Sequence, residues 1–282
     1  MSLTTIMKRT IPRSLQPAVK RAWHLTRDYT EEALSLRDPL KPPARLHFVG
    51  QGDFEEIGSH LLGLLVEHGA LKPSARVLDV GSGNGRVAVR LTQYLDEKGS
   101  YEGVDIVDAG IEWCQRKITP RHPRFRFQKI DVFNPRYNPG GRVEAKNFSF
   151  PFTDGEFDLV FLTSVFTHML PQDVNRYLSE IQRVLKPGGR CFATFFLLNA
   201  ESRRQLEAKA TMIEFPHARD GYSLMDDRVP EAAVAFPEED VRAMVANSGL
   251  KLQGNVLYGT WCGRKPGTSY QDIVIADKAA YH

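Results

Sequence analysis

The fold of this chain is decided by the stretch Arg76-Val77-Leu78-Asp79-Val80-Gly81-Ser82-Gly83-Asn84-Gly85-Arg86. Val77, Leu78 and Val80 form a short apolar run, which is typical of a strand buried on both faces. Three alternate glycines follow, and the apolar residues from Val87 to Leu91 can pack one face of a helix. The stretch therefore predicts a strand, a tight glycine turn and a helix, where backbone N–H groups and the positive helix end can approach a ligand.

A second strand end strengthens this interpretation, because alternate glycines alone are a weak signal. Tyr101–Ile106 predicts a strand with an acid, Asp105, near its end. A carboxylate in that place can accept hydrogen bonds from both hydroxyls of a ribose. The two strands together predict a nucleotide-like ligand at the glycine turn.

Composition limits the classes of protein. The chain has 282 residues, 42% of them hydrophobic and 25% charged, which suits one large α/β domain or two small ones. A net charge of +3 does not by itself imply a nucleic-acid partner. Cys114, Cys191 and Cys262 are too far apart for a disulfide framework or a paired-cysteine metal site, so we expect no metal and a reducing, cytoplasmic setting. No apolar run approaches the roughly 20 residues that span a bilayer.

The N-terminal arm is basic. Residues 1–27 contain six Lys and Arg residues and no Asp or Glu. Three interpretations stay open: an arm that is partly disordered or packs over the domain, a helix that contacts a membrane surface, and a transit peptide. The proline-rich linker 38–43 follows, so we predict an arm and linker over 1–45 and one domain over 46–282.

The motifs resemble those of a known family. Val77–Gly85 is similar to the first motif of class I S-adenosylmethionine-dependent methyltransferases, and Asp105 stands at the place of the ribose-binding acid in that family. A helix that stops at Leu185-Lys186-Pro187-Gly188-Gly189 before a strand also resembles it. The resemblance extends over roughly Phe54–Leu198. It implies a Rossmann-like α/β fold: a seven-stranded, mostly parallel sheet with helices on both faces and the last strand antiparallel.

The resemblance also implies that S-adenosylmethionine is the cofactor, and it carries over to particular positions. An acid followed by an apolar residue after the third strand borders the adenine in the family, and Asp131 and Val132 match that position. The expected cofactor-binding residues are Asp79, Gly81, Ser82, Gly83, Asp105, Ile106, Asp131, Val132 and Thr163.

The remaining elements follow from apolar spacing. We expect helices from Phe54 to about Gly69 and at 174–185 and 237–248. We expect strands at 125–132, 157–164, 190–198, 251–259 and 270–276. Residues 133–156 predict an irregular excursion. Residues 199–236 predict a lid insertion, whose apolar surface would come from Phe215, Tyr222, Met225 and Phe236. The loop Gly259–Arg264 predicts either a substrate contact, with Arg264 on an anionic group, or a solvent-facing hairpin.

His168 is the candidate general base. It follows the fourth strand, at the sheet edge where such folds place ligands, and an imidazole accepts protons near neutral pH. A histidine that only positions neighbouring groups is the alternative. This segment lacks the Asn/Asp-Pro-Pro-aromatic box and the Pro-Cys nucleophile of nucleobase methyltransferases, which argues against a nucleobase substrate.

The predicted function is methyl transfer to a small-molecule acceptor, on a hydroxyl oxygen if His168 is the base. The alternatives are an RNA or protein methyltransferase, a non-catalytic module that binds the cofactor or a partner, and a nicotinamide-dependent oxidoreductase. The sequence does not indicate the oligomeric state.

Overall fold

The computed structural model describes residues 38–46 and 52–280, together with the isolated positions 19, 26, 28, 30 and 34. The predicted basic arm, residues 1–27, lies outside the described residues apart from Val19 and Thr26, and the boundary at residue 45 stays a prediction. None of the helices in the described ranges combines the length and the apolar character that crossing a membrane requires.

The described part alternates strands and helices. The strands are β1 (Arg76–Val80), β2 (Ser100–Asp105), β3 (Phe125–Lys129), β4 (Phe157–Leu162), β5 (Leu185–Phe195), β6 (Leu197–Leu198), β7 (His217–Arg219), β8 (Tyr222–Leu224), β9 (Val234–Pro237), β10 (Leu250–Leu252) and β11 (Asp272–Lys278). The α-helices are α1 (Phe54–Glu67), α2 (Arg86–Leu91), α3 (Asp108–Lys117), α4 (Pro171–Val184), α5 (Ala200–Glu207) and α6 (Glu238–Asn247).

Seven strands form the central sheet in the order β10-β11-β5-β4-β1-β2-β3. β1 pairs in parallel with both β2 and β4, and β4 pairs in parallel with β5. β11 runs antiparallel to β5 and to β10. This is the predicted Rossmann-like sheet with its last strand reversed, and the prediction is confirmed.

Buried side chains cover both faces of the sheet, as the apolar runs predicted. Val77 and Leu78 are neighbours in β1, and neither is exposed, yet they belong to different hydrophobic clusters. Successive side chains of a strand point to opposite faces, so β1 contributes to a core on each side. The helix α4 packs on one face with Val174, Ile181 and Val184 fully buried.

The helix α1 begins where Asp53 caps it by accepting hydrogen bonds from the backbone N–H groups of Glu55 and Glu56. It packs closely on α2, because a Cβ added at Gly58 would lie 2.7 Å from the carbonyl oxygen of Arg86. This close approach puts one side of α1 beside the glycine turn.

The region 199–236 contains a helix, which the charged residues around 201–210 predict, and short strands that the sequence did not predict. α5 is followed by β7, β8 and β9, which join β6 in a four-stranded sheet of order β6-β9-β8-β7. The predicted third and fifth strands also differ, since β3 ends at Lys129 and β5 begins at Leu185. The excursion 133–156 is irregular as predicted, apart from isolated bridges and the 3-10 turn Ala145–Asn147.

Candidate active site

A cavity of about 1180 Å³ opens at the carboxyl ends of β1, β2 and β4. Open parallel sheets bind their ligands at this edge, next to the strand where the chain reverses its direction of travel. α1 contributes Ile57, His60 and Leu61 to the wall, while its opposite side packs in the core.

The glycine turn forms one wall of the cavity. Gly81, Gly83 and Gly85 have φ values of 86°, 56° and 79°, which are left-handed conformations that glycine adopts without strain. A Cβ at Gly81 would lie 2.4 Å from a methyl carbon of Val165. At Gly83, no atom of the described residues other than its chain neighbours lies within 4 Å of such a Cβ. The first glycine is thus required by packing, and the second keeps the backbone open toward the cavity.

Asp105 stands beside this turn, as predicted. One carboxylate oxygen accepts a hydrogen bond from the N–H of Gly83 at 2.7 Å, and the other accepts one from the N–H of Val107 at 2.8 Å. Burial raises the pKa of this carboxyl group, and the backbone donors oppose that rise. Each oxygen keeps a second lone pair that can accept a further hydrogen bond, which suits the two hydroxyls of a ribose.

Asp79 lies deeper in the same wall and is 2% exposed. Its Oδ2 accepts a hydrogen bond from the hydroxyl of Tyr101 at 2.6 Å, whereas its Oδ1 is buried and has no hydrogen-bond partner in the described part of the chain. Burial raises the pKa of the Asp79 carboxyl group to about 8, and the charge of Asp105 adds to the rise. An unpaired buried carboxylate oxygen is a strong acceptor for a cation.

Of the other predicted cofactor-binding residues, Ser82, Ile106, Val132 and Thr163 also line the cavity. Asp131 does not belong to the lining. Its carboxylate instead accepts a hydrogen bond from Nε of Arg142 at 2.5 Å, and this ion pair lowers the pKa of the carboxyl group. The cofactor contact predicted for Asp131 therefore stays a prediction, and the excursion after β3 brings back an arginine that binds the carboxylate.

His168 lies in the 3-10 turn Phe166–His168 and lines the cavity. Its Nδ1 is 2.9 Å from the carbonyl oxygen of Glu231. A carbonyl oxygen only accepts, so Nδ1 carries the proton and Nε2 of the neutral ring keeps its lone pair. Burial lowers the pKa of His168, although the carbonyl groups of Glu231 and Ala232 oppose this change by favouring the protonated ring. The ring is therefore neutral near pH 7 and able to accept a proton.

A polar network that the sequence did not indicate supports the turn before His168. Ser164 has a φ of 58°, a conformation that is costly for a residue other than glycine. Its N–H donates to the hydroxyl of Thr194 at 2.8 Å, and its hydroxyl lies 3.1 Å from Oε1 of Gln271. Ser164 and Gln271 are separated by 107 residues, so no local pattern could have linked them.

The insertion 199–236 contributes to the cavity, but through residues other than those predicted. Phe215 and Phe236 are buried in hydrophobic clusters, Tyr222 packs against one, and Met225 is exposed. None of these four lines the cavity. The residues of the insertion that do so are Met212, Ile213, Glu231, Ala232 and Ala233.

The loop Gly259–Arg264 reaches the cavity wall through Thr260, so a substrate contact by this loop stays a prediction, but Arg264 itself points elsewhere. The guanidinium of Arg264 is buried, lies 2.7 Å from a carboxylate oxygen of Glu201 and stacks 4.2 Å above the ring of Tyr258. Trp261 is fully buried, and its indole N–H donates to Asp272 at 2.6 Å. The loop is an internal support for the insertion, so Arg264 is not placed to bind an anionic substrate.

Acidic side chains outnumber basic ones in the described cavity wall. The lining contains Asp79, Asp105, Asp173 and Glu231, and Arg86 is the one Lys or Arg side chain among the described lining residues. The described residues also contain no group of three His, Cys, Asp or Glu side chains that could hold a metal ion.

Comparison with known proteins places these features in a family. Residues 78–193 match the family model described as a methyltransferase domain. Phthiotriol/phenolphthiotriol dimycocerosates methyltransferase 1 of Mycobacterium ulcerans is 37% identical over 114 residues, which are 40% of this chain and 35% of that protein. Arsenite methyltransferase of Mus musculus is 29% identical over 142 residues, which are 50% of this chain and 36% of that protein. The chain therefore spans only about a third of the length of these relatives, at 35% and 36%.

Solved structures share the fold at low sequence identity. A protein of Pyrococcus horikoshii aligns with a TM-score of 0.56 and 17% identity over 83% of this chain and 94% of its own. The cyclase SpnF aligns with a TM-score of 0.54 and 18% identity over 84% of this chain and 86% of its own. One fold thus carries different reactions, and the reaction has to be argued from the site.

Residues 78–193 are therefore part of a methyltransferase domain, and the sheet order and the glycine turn agree with the predicted class I S-adenosylmethionine-dependent type. S-adenosylmethionine is the cofactor of this class, and the site fits it. The turn is open at Gly83, Asp105 has lone pairs for ribose hydroxyls, and the unpaired Oδ1 of Asp79 can receive an ammonium group.

Proposed function

We propose that the protein transfers the methyl group of S-adenosylmethionine to a hydroxyl oxygen of a small-molecule acceptor, with His168 as the general base. When bound, the cofactor supplies a methyl group on a positively charged sulfur that an acceptor oxygen can attack. The residues expected to hold it are Asp79, Gly81, Ser82, Gly83, Asp105, Ile106, Val132 and Thr163.

The observation that carries the proposal is the fixed tautomer of His168. The Glu231 carbonyl holds the proton on Nδ1, and burial lowers the pKa of the ring, so Nε2 is available to take a proton from a hydroxyl group. A hydroxyl acceptor needs this help more than an amine or a thiol, because its own pKa is far above neutral pH. A positioned base contributes about 10²–10⁴-fold to such a reaction.

The position of His168 also supports this role. Gly81 and Val165 are so close that no Cβ fits between them, which places the segment leading to His168 against the glycine turn. The base and the cofactor-binding turn therefore share one cavity. The acidic balance of the described wall disfavours an RNA acceptor, whose phosphates would meet carboxylates.

The test uses S-adenosylmethionine labelled on its methyl group, with a panel of phenols, alcohols, amines and thiols and a metabolite extract. We expect label on hydroxyl oxygen. His168→Gln should bind S-adenosylhomocysteine with an unchanged Kd but lower kcat by about 10²–10⁴-fold. Label found only on nitrogen, sulfur or carbon, or a His168→Gln protein with the native kcat, would refute the proposal.

A further inference from the structure

Three large apolar side chains stand at the mouth of the cavity. Phe133 and Tyr270 are each 45% exposed and Met212 is 61% exposed, yet all three also line the cavity. They come from the excursion after β3, the insertion after α5 and the segment before β11. Exposed apolar side chains that also line a ligand site indicate a binding surface rather than scattered exposure.

Buried elements fix the backbone of this apolar rim, which we define as Phe133, Met212 and Tyr270. The N–H of Met212 donates to the carbonyl oxygen of the buried Trp261 at 3.0 Å, and that of Phe133 donates to Val143 at 2.8 Å. The ring of Tyr270 packs edge-on against Phe196, with centroids 6.1 Å apart. The rim is therefore held by the fold and does not depend on the side chains themselves for its position.

Carboxylates lie inside the rim, beside the proposed base. Glu231 holds His168 through its carbonyl group, and its own Oε2 is buried without a hydrogen-bond partner in the described part of the chain. Asp173 is close enough to interact electrostatically with Glu231, and burial raises the pKa of the Asp173 carboxyl group. These oxygens can accept a hydrogen bond from a neutral donor such as a hydroxyl group, and their charge opposes an anionic acceptor.

The cavity has room for both an acceptor and the cofactor. Sites for a single drug-sized ligand measure about 300–1,000 Å³, and this cavity measures about 1180 Å³. The glycine turn, Asp79 and Asp105 line the cavity from β1, β2 and the turn after β1. The apolar rim, His168 and Glu231 line it from other elements, which follow later in the chain.

From these placements we infer that the acceptor is a neutral molecule with an extended alkyl or aryl body, which leaves the cavity across Phe133, Met212 and Tyr270 and keeps its uncharged polar end beside His168 and Glu231. The inference rests on the proposed function, because it assumes that the acceptor enters this cavity. It adds the polarity and the shape of the acceptor, which methyl transfer alone does not define.

The first experiment measures binding of Nile red, a neutral apolar dye, to the full chain with saturating S-adenosylhomocysteine. Met212→Ser removes apolar surface from the rim and should raise the Kd of the dye about tenfold. Met225→Ser is the matched control, because Met225 is also exposed, lies in the same insertion and does not line the cavity. It should change the Kd less than about twofold, and both variants should melt at the temperature of the wild type.

The second experiment displaces the dye with octan-1-ol or with octanoate, which share an alkyl chain and differ in charge. We expect octan-1-ol to compete at a concentration at least about tenfold lower than octanoate. Glu231→Gln should reduce this preference to about threefold or less, whereas the exposed Glu239→Gln, which makes the same change of charge outside the cavity, should leave it intact.

The inference is overturned if Met212→Ser leaves the Kd unchanged, if Met225→Ser weakens binding equally, or if octanoate competes as well as octan-1-ol. The dye measurements need no methyl transfer. A protein that binds the dye as expected but transfers no label to hydroxyl oxygen would therefore refute the proposed function alone, and the reverse result would refute this inference alone.

Discussion

Asp79 should carry a proton in the free protein at neutral pH and should lose it when the cofactor binds. Its carboxyl group is 2% exposed, and burial raises its pKa to about 8. At pH 7 only about one tenth of the molecules then hold the carboxylate that an ammonium group requires. The unpaired Oδ1 is the atom expected to receive the ammonium group at the methionine end of the cofactor.

The magnitude follows from the pKa. A group that must ionise before it binds costs about tenfold in apparent affinity for each pH unit well below its pKa. Since the group is already half protonated at pH 8, the Kd should rise about 50-fold from pH 8 to pH 6. At pH 7, binding should release about 0.9 proton per cofactor. The sign is fixed by the direction of the shift: a carboxyl pKa that is raised in the free protein means that binding releases protons and strengthens as pH rises.

Isothermal titration calorimetry with S-adenosylhomocysteine measures both quantities, because buffers with different ionisation enthalpies report the protons released. Asp79→Asn is the companion variant. It should bind weakly at every pH and release no proton, and the free variant should be more stable than the wild type at pH 8. This last result is expected because a raised carboxyl pKa lowers stability as pH increases from the unfolded value of about 4 to the folded value of about 8. A wild-type Kd that is equal at pH 6 and pH 8, with no proton release, would refute the reasoning.

Two further predictions concern the packing around the site and are measured by urea unfolding. Gly81→Ala should lower the free energy of unfolding by about 1–2 kcal/mol because its backbone is left-handed, and by about 1–3 kcal/mol more because the new methyl group meets Val165. Gly83→Ala should lower it by the first amount only. Equal losses in the two variants would contradict the packing argument. Asp272→Asn should cost about 3 kcal/mol, because the buried carboxylate accepts an indole and two backbone N–H groups beside a buried guanidinium. Asp277→Asn, in the same strand but in a half-exposed ion pair, should cost about 1 kcal/mol, and the reverse ranking would be inconsistent with this account.

The cofactor side of the site could be predicted from sequence because it is local. Asp79, the three glycines and Asp105 belong to two adjacent parallel strands and the turn between β1 and α2, so strand periodicity places them at one sheet edge. The apolar runs of β1, β4 and α4 were equally informative, since each is buried in one continuous element. Here the short-range pattern and the final structure agree.

The features of the site that the sequence did not predict depend on contacts between segments that are far apart in the chain. Asp131 ends next to Arg142 only because the excursion folds back, and Arg264 is buried only because Asp272 and Glu201 surround it. The short strands of the insertion contain three or four residues each, too few to show an alternating pattern. Glu231 belongs to none of the motifs found in the sequence. It acts on the site through its backbone carbonyl group, which accepts the hydrogen bond from Nδ1 of His168.

Several of the residues proposed to contact the acceptor lie outside the part of the chain that the family match covers. The family match covers residues 78–193, which include the glycine turn, Asp105 and His168. Met212, Glu231 and Tyr270, which line the cavity and which we propose to contact the acceptor, all lie outside that range. The match therefore supports the cofactor but does not extend to the surface that selects the acceptor. The substrates named for the relatives belong to those proteins, and the apolar rim with its neighbouring carboxylates is the basis for the acceptor that we propose for this chain.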